Sequence, residues 1–234
     1  MSQAVALWNP FALAAPAAPV SPPAKSAPAP ERLPGMADVA AHLERRLAAI
    51  TVRLAELRRG HSAERQSLQR ESRELEDALS ACKAKQCDPW KYEGRILADL
   101  MAARAAKDAA QTATLRGLLR AGSWWTHERI HSGAEAAKTL ETLWHDHPGD
   151  DLPHRAETLR LVRSDEIGAS LEPAIAHIED QFASWWREWK LADAAGAKAA
   201  AEALQAEIGH LRAVRDYLYV RRLYPLLARH AIAA

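Results

Sequence analysis

Apolar residues recur with alternating spacings of four and three between positions 36 and 87. The regular part of this pattern places a leucine or isoleucine at Leu43, Leu47, Ile50, Leu54 and Leu57. Such a seam is typical of a coiled coil, because one apolar stripe runs along the helix and needs a second helix to cover it. The pattern predicts a coiled-coil arm over residues 36–87 that associates with a second copy or with a partner helix.

Gly60 leaves the shape of this arm open. A glycine can end one helix, and Ser62 can cap the next, which would fold 36–87 into a helical hairpin. Without that break, the segment would form one helix of about 70 Å. In both versions the arm is a structural or association element, and the charges beside the seam form a solvated face.

The remaining residues, 88–234, also show helical periodicity. Alanine is abundant and clear runs of β-branched residues are absent, so the predicted fold class is all-α, with 88–234 forming a Trp-rich helical bundle. Pro173 is expected to kink its helix, and Gly196 marks a turn. The individual helices are predicted at about 90–120, 123–131, 133–146, 154–163, 166–191 and 197–230.

The first 35 residues lack this periodicity. Eight prolines lie among alanines and serines within residues 10–34, which predicts a disordered tail with a semi-stiff Pro/Ala linker. Ahead of the linker, the segment ALWNPFAL groups Trp8 and Phe11 with leucines. Large apolar side chains at the end of a tether favour a docking peptide, because they offer much contact area for little ordering cost. An unstructured tail with a few hydrophobic residues is the plainer alternative.

Charge and cysteine content narrow the classes of function. The chain has 31 basic and 30 acidic residues, and their interspersed order argues against a nucleic-acid partner. Cys82 and Cys87 cannot make a disulfide framework, which favours a reducing compartment. The N-terminus has no Lys or Arg before Lys25, and prolines interrupt its apolar stretch, so we predict no signal peptide and a cytoplasmic location.

The C-terminal segment 217–230 places arginines beside aromatic residues. Such a helix can make weak peripheral contact with a membrane surface, but the more common arrangement docks it into its own bundle with the arginines in water. No apolar run approaches the roughly 18 residues of a transmembrane helix. We therefore expect no membrane partner beyond this weak contact.

One short motif carries candidate chemistry. His127, Glu128 and His131 fit H-E-x-x-H, and the stretch HERIH resembles the zincin metallopeptidase motif over these five residues only. In that motif two imidazoles one helical turn apart bind zinc, and the glutamate activates the bound water. The resemblance implies His127 and His131 as zinc ligands and Glu128 as the catalytic residue.

The sequence around HERIH departs from that motif. Arg129 places a charge inside it, and no strand is predicted that would present a substrate. Ser132 and Glu135 form the pattern of a capping box, which would begin a new helix immediately after the second histidine. A zinc-dependent hydrolase is therefore the alternative hypothesis, and the main hypothesis has no cofactor and no catalytic residue.

Tryptophans give the bundle region a heavy aromatic content. Adjacent tryptophans on a helix point about 100° apart, so they cannot both enter one narrow core stripe. One residue of each adjacent pair is expected at a helix junction or an interface, and Trp124 and Trp185 are the candidates. Packing of bulky fillers between small-residue helices is the other explanation.

These features favour a non-enzymatic helical scaffold or adaptor that acts through protein–protein contacts, possessing an N-terminal tail (1–35), an arm (36–87) and a bundle (88–234). Oligomers are expected to form through the arm. The third hypothesis, a DNA-associated accessory protein of a mobile element or phage, depends only on the layout of an arm followed by a bundle.

Overall fold

The computed structural model describes residues 32–57, 62–84, 89–123, 130–147, 152–164 and 170–225. Eight α-helices and no strand occur within these ranges, which confirms the predicted all-α fold class. In chain order the helices are α1 (Met36–Glu56), α2 (Ser62–Lys83), α3 (Pro89–Ala105), α4 (Ala109–Ser123), α5 (Gly133–Asp146), α6 (Leu152–Arg163), α7 (Glu172–Ala194) and α8 (Lys198–Leu223). None of these eight combines the length and the apolar character that crossing a membrane requires.

The helices follow one another as four hairpins, in which α1 packs on α2, α3 on α4, α5 on α6 and α7 on α8. The last hairpin is central, because α4 and α5 pack against α8 while α6 packs against α7. The first hairpin lies on the second, with α1 against α4 and α2 against α3. Buried residues from all eight helices belong to one hydrophobic core.

The predicted arm is a helical hairpin. Arg53 on α1 lies 2.8 Å from Glu64 on α2, and Arg46 lies 2.8 Å from Glu71. The earlier residue on α1, Arg46, pairs with the later residue on α2, Glu71. The two helices therefore run antiparallel. Of the two shapes that Gly60 left open, the structure has the hairpin.

The prediction of one helix over 90–120 is wrong, because the chain turns near its middle. α3 ends at Ala105, and Lys107 adopts a positive φ of 56°. Asp108 caps the start of α4, since its carboxylate accepts a hydrogen bond of 2.9 Å from the backbone N–H of Gln111. Neither glycine nor proline marks this turn, so the capping aspartate is the only strong local signal for it.

The start of α7 also differs from the predicted helix over 166–191. The helix begins at Glu172, and Pro173 lies in its first turn instead of kinking its interior. Proline is tolerated there because the first N–H groups of a helix have no intrahelical acceptor. Gly196, with a φ of 70°, lies in the predicted turn between α7 and α8.

The two ends of the described chain lie side by side. A β-carbon added to Gly117 on α4 would lie 2.8 Å from Pro34 Cγ and 3.5 Å from the hydroxyl oxygen of Tyr224. Pro34 lies just before α1, and Tyr224 follows α8 directly. The missing side chain at Gly117 lets the segment before α1 pass closely over α4, beside the end of α8.

Candidate interaction site

Glu93 is a carboxylate buried between α3 and α8. Arg212 donates from Nε to its two oxygens at 2.9 and 3.0 Å, and Arg215 donates from Nη1 at 2.9 Å. All three side chains are almost completely buried. Burial by itself would raise the pKa of Glu93, but the two guanidinium groups outweigh it and hold the pKa below its ordinary value. An ionised triad therefore ties α3 to α8.

A second buried carboxylate, Glu179 on α7, joins three other helices. Arg116 on α4 donates to it from Nε at 2.6 Å, and Tyr219 on α8 donates its hydroxyl at 2.9 Å. Arg104 on α3 places Nη1 3.2 Å from the other carboxylate oxygen. Burial raises the pKa of Tyr219 well above its ordinary value, and the charge of Glu179 raises it further. The tyrosine therefore remains a hydrogen-bond donor.

Phe182 lies beside Arg215, which connects the groups around Glu93 with those around Glu179. The guanidinium carbon of Arg215 is 4.5 Å from the centroid of the Phe182 ring and 5.6 Å from that of the Tyr219 ring. Charged groups from α3, α4, α7 and α8 therefore form one continuous buried network. Because its carboxylates and guanidinium groups bind one another, the network is suited to fixing helix positions.

In the segment 217–230, where the arginines are expected to face water, Arg222 is exposed and Arg221 is half-buried. Arg212 and Arg215 lie ahead of that segment and are buried. A signal for their burial is present in the sequence, because both lie on the same face of α8 as Ile208, Leu211 and Leu218, which are buried. Arginines inside an apolar stripe indicate buried ion pairs. The periodicity of α8 alone does not identify their partner, Glu93.

Trp185 and Trp186 are both buried, and Trp185, the candidate for a helix junction or an interface, packs where the end of α5 meets α7. Trp185 is 8% exposed, and its ring centroid is 4.9 Å from that of His147 at the end of α5. Trp186 is 4% exposed and lies over Gly94 of α3, where an added β-carbon would be 2.6 Å from its Nε1. Both are buried because α7 has neighbours on two sides. Trp124 lies outside the described residues.

Trp144 begins a chain of hydrogen bonds across α5, α6 and α7. Its Nε1 donates to Gln181 Oε1 at 3.0 Å, and Gln181 Nε2 lies 3.2 Å from His177 Nε2. Since the amide nitrogen is a donor, His177 accepts at Nε2 and donates from Nδ1 to Thr158 Oγ1 at 2.7 Å. The chain therefore fixes the tautomer of His177 and the orientation of three helices.

A shallow, open cleft of about 420 Å³ lies where α1, α3 and α4 meet. On its wall, His42 Nε2 is 3.1 Å from Asp99 Oδ2. Arg46 pairs with the same carboxylate and also with Glu71 on α2. Asp99 is thus shared by two residues of α1, and its role in the fold is to join α3 to the first hairpin.

The seam of the predicted arm packs within its own chain. Leu43, Ile50 and Leu57 are buried, and Leu47 and Leu54 are half-buried against the same core. α2 supplies the helix that covers the seam. Trp8 and Phe11, the other candidates for protein binding, lie outside the described residues.

HERIH lies partly outside the described residues, which exclude His127 and Glu128. His131 is exposed and precedes Ser132, the N-cap of α5. Its backbone N–H donates to Glu135 Oε2 at 2.9 Å, while the N–H of Glu135 donates to Ser132 Oγ at 3.1 Å. Ser132 therefore caps α5 as predicted, while the Glu135 carboxylate accepts from the N–H of the residue before the cap, so the reciprocal bond of a capping box to Ser132 itself is not formed. His131 lies before the helix rather than within it.

The zinc hypothesis for HERIH stays a prediction. Within the described ranges, no three side chains of histidine, cysteine, aspartate or glutamate are grouped so as to hold a metal ion. Cys82 is buried on α2.

The far end of the α7–α8 hairpin extends past the helices that pack against it. The end of α5 reaches the hairpin at Trp185 and Glu207, where His147 Nε2 lies 2.8 Å from Glu207 Oε2. Beyond this level, every side chain from 187 to 206 except Ala201 is exposed or half-buried. We call residues 187–206 the hairpin tip. It contains Leu191, which is 71% exposed.

The charged side chains of the hairpin tip have no opposite partner within the described chain. Six residues with exposed side chains share this property, in contrast to the paired charges of α1 and α2. Three are basic and three are acidic: Arg187, Glu188, Lys190, Asp193, Lys198 and Glu202. The hairpin tip therefore presents an exposed leucine among charges of both signs that lack a partner in the described chain.

Comparison with known proteins found no match to this chain among protein-family models, curated proteins or solved structures.

Proposed function

We propose that the protein is a non-enzymatic helical scaffold or adaptor that acts through protein–protein contacts, with the hairpin tip as one contact surface. The observation that carries this proposal is the exposed Leu191 among charges that lack partners in the described chain. A cytoplasmic location and a docking role for Trp8 and Phe11 belong to the same proposal.

The buried ion network supports a scaffold in a second way. A contact surface is more effective when its supporting helices do not move, because less ordering is needed on binding. Glu93 and Glu179 connect α7 and α8 to α3 and α4 through charged hydrogen bonds. The base of the projecting hairpin is thus held in the core, while its tip presents side chains to a partner.

The burial of the leucine seam changes which surface the proposal uses. Leu43 and Ile50 are covered by the chain's own core, so their exposure to a partner helix would require the first hairpin to open. The hairpin tip needs no such opening.

Affinity purification of the tagged full-length protein from its native cells, after mild crosslinking, tests this function. We expect at least one protein to be recovered in stoichiometric amount with the parent chain. That recovery should be lost with Leu191→Asp and retained with the matched control Leu152→Asp, because Leu152 is 68% exposed but lies on α6, outside the tip.

A variant lacking residues 1–24 separates the tail from the tip. Loss of partners from this variant alone would assign binding to the segment that contains Trp8 and Phe11. Recovery of the same proteins with the parent, Leu191→Asp and the shortened chain would contradict the proposed contact surfaces.

A further inference from the structure

One face of α7 points away from the core along the hairpin tip. Ser184, Arg187, Glu188 and Leu191 occur at spacings of three and four, which places them on one side of the helix. The opposite side carries Phe182, Trp185 and Trp186, all of which are buried. The first set therefore forms a short outward stripe, which we call the α7 stripe.

Arg187 and Glu188 have no opposite charge within reach on their own helix. The neighbours of Arg187 at three and four positions are Ala183, Ser184, Lys190 and Leu191, and those of Glu188 are Ser184, Trp185, Leu191 and Ala192. Arg187 and Glu188 are adjacent, and the structure shows no ion pair between them. Among the described residues, the side chain of Arg187 donates to the carbonyl of Ala183 at 3.2 Å, and that of Glu188 accepts from the hydroxyl of Ser184 at 3.3 Å.

Two copies of this stripe complement each other when the helices run antiparallel about a two-fold axis. In such a contact every residue pair occurs twice, once on each side of the axis. Arg187 of each copy therefore meets Glu188 of the other. The same register places Leu191 opposite Ser184 of the second copy, where a small side chain leaves room for the leucine. Charge and shape thus agree in one alignment.

We propose that the α7 stripe is a self-association surface, on which α7 of a second copy of this chain packs antiparallel. The inference deepens the proposed scaffold function by naming a partner for the hairpin tip. The contact is small, which places it among weak, concentration-dependent interfaces. It leaves the buried network and the first hairpin unchanged.

Sedimentation equilibrium of the full-length protein over a wide range of concentration tests the proposal. We expect the parent to show a monomer–dimer equilibrium. Leu191→Asp should raise the dissociation constant by at least about tenfold, since it removes the leucine that packs on Ser184 and buries a carboxylate there twice. Leu152→Asp is the matched control and should leave the dissociation constant unchanged.

Charge reversal tests the antiparallel register directly. Arg187→Glu and Glu188→Arg should each weaken the dimer by at least about tenfold, because each places like charges together twice. The double variant, which carries both reversals, restores unlike pairs across the two-fold axis and should dimerise like the parent. All three variants change exposed side chains, and circular dichroism checks that they remain folded.

A parent that stays monomeric at every concentration would overturn the proposal. So would single reversals that dimerise as well as the parent, or a double variant no better than the singles. A dimer that survives Leu191→Asp but disappears when residues 1–24 are removed would assign association to the tail. The parent could instead be monomeric and recover a different protein in affinity purification that the Leu191→Asp variant does not recover. That result would exclude self-association and leave the scaffold function standing.

Discussion

Gly133 shows at the residue scale how closely two backbones approach in this fold. A β-carbon at Gly133, the first residue of α5, would lie 2.3 Å from the carbonyl oxygen of Val162 on α6. We predict that Gly133→Ala lowers the free energy of unfolding by about 1–3 kcal/mol, because a backbone oxygen cannot rotate aside as a long side chain can. Chemical denaturation followed by circular dichroism measures this change.

Gly209→Ala on α8 is the matched control for Gly133→Ala. Nothing lies within 4 Å of the added β-carbon, and alanine has the higher helix propensity. This substitution should raise the free energy of unfolding by about 0.5–1 kcal/mol. The same sign of effect at both glycines would contradict the close approach of α5 and α6.

Glu93 supports a prediction about the buried network. Glu93→Gln removes the charge that Arg212 and Arg215 share, so two buried guanidinium groups lose their common anion. We expect the free energy of unfolding to fall by about 3–5 kcal/mol. Glu157→Gln, which removes only an exposed pair with Arg160, should leave the unfolding midpoint unchanged.

Glu93 also determines how the free energy of unfolding changes as the pH falls. The pKa of Glu93 is lower in the folded protein than in the unfolded chain, so its contribution to stability is fully present above the ordinary glutamate pKa of about 4.3. That contribution is lost as the pH falls through the lower, folded-state pKa. Denaturation measured from pH 7 downward should show a steeper acid loss for the parent than for Glu93→Gln, and equal slopes would exclude this role.

At the scale of elements, Asp108 decides where α4 begins. Its carboxylate accepts from the N–H of Gln111 just after the left-handed Lys107. We predict that Asp108→Ala lowers the free energy of unfolding by about 0.5–2 kcal/mol, because an N–H at the helix start loses its acceptor. Asp77→Ala, an exposed change within α2, is the control for loss of an aspartate without a cap, and an equal loss from both would show that the cap contributes nothing.

The boundaries of elements were predictable only where local chemistry marks them. Ser132 and Glu135 identify the start of α5, and Gly196 identifies the turn before α8. At the break near Lys107 the capping Asp108 is the local marker, but lysine gives no sign of the positive φ that it adopts, with the N–H groups of Lys107 and Asp108 bonded to the last carbonyls of α3.

At the scale of the whole molecule, periodicity predicted the helical class but not the pairing of helices. The leucine seam correctly indicated that another helix must cover it, and α2 does so within the same chain. Arg212 and Glu93 are 119 residues apart, so no local pattern links them. The hairpin tip could not be predicted from the sequence either, because the exposure of Leu191 depends on how far α3 and α5 reach along α7 and α8.

Pro34 and the hydroxyl of Tyr224 both lie against Gly117, so the start of α1 and the end of α8 come to the same part of α4. A short peptide joining these two points, together with new ends opened between α1 and α2, would give a circular permutant with the same eight helices in a new order. Such a permutant would begin with α2 and finish with α1, so the order of synthesis would change while the final contacts would not.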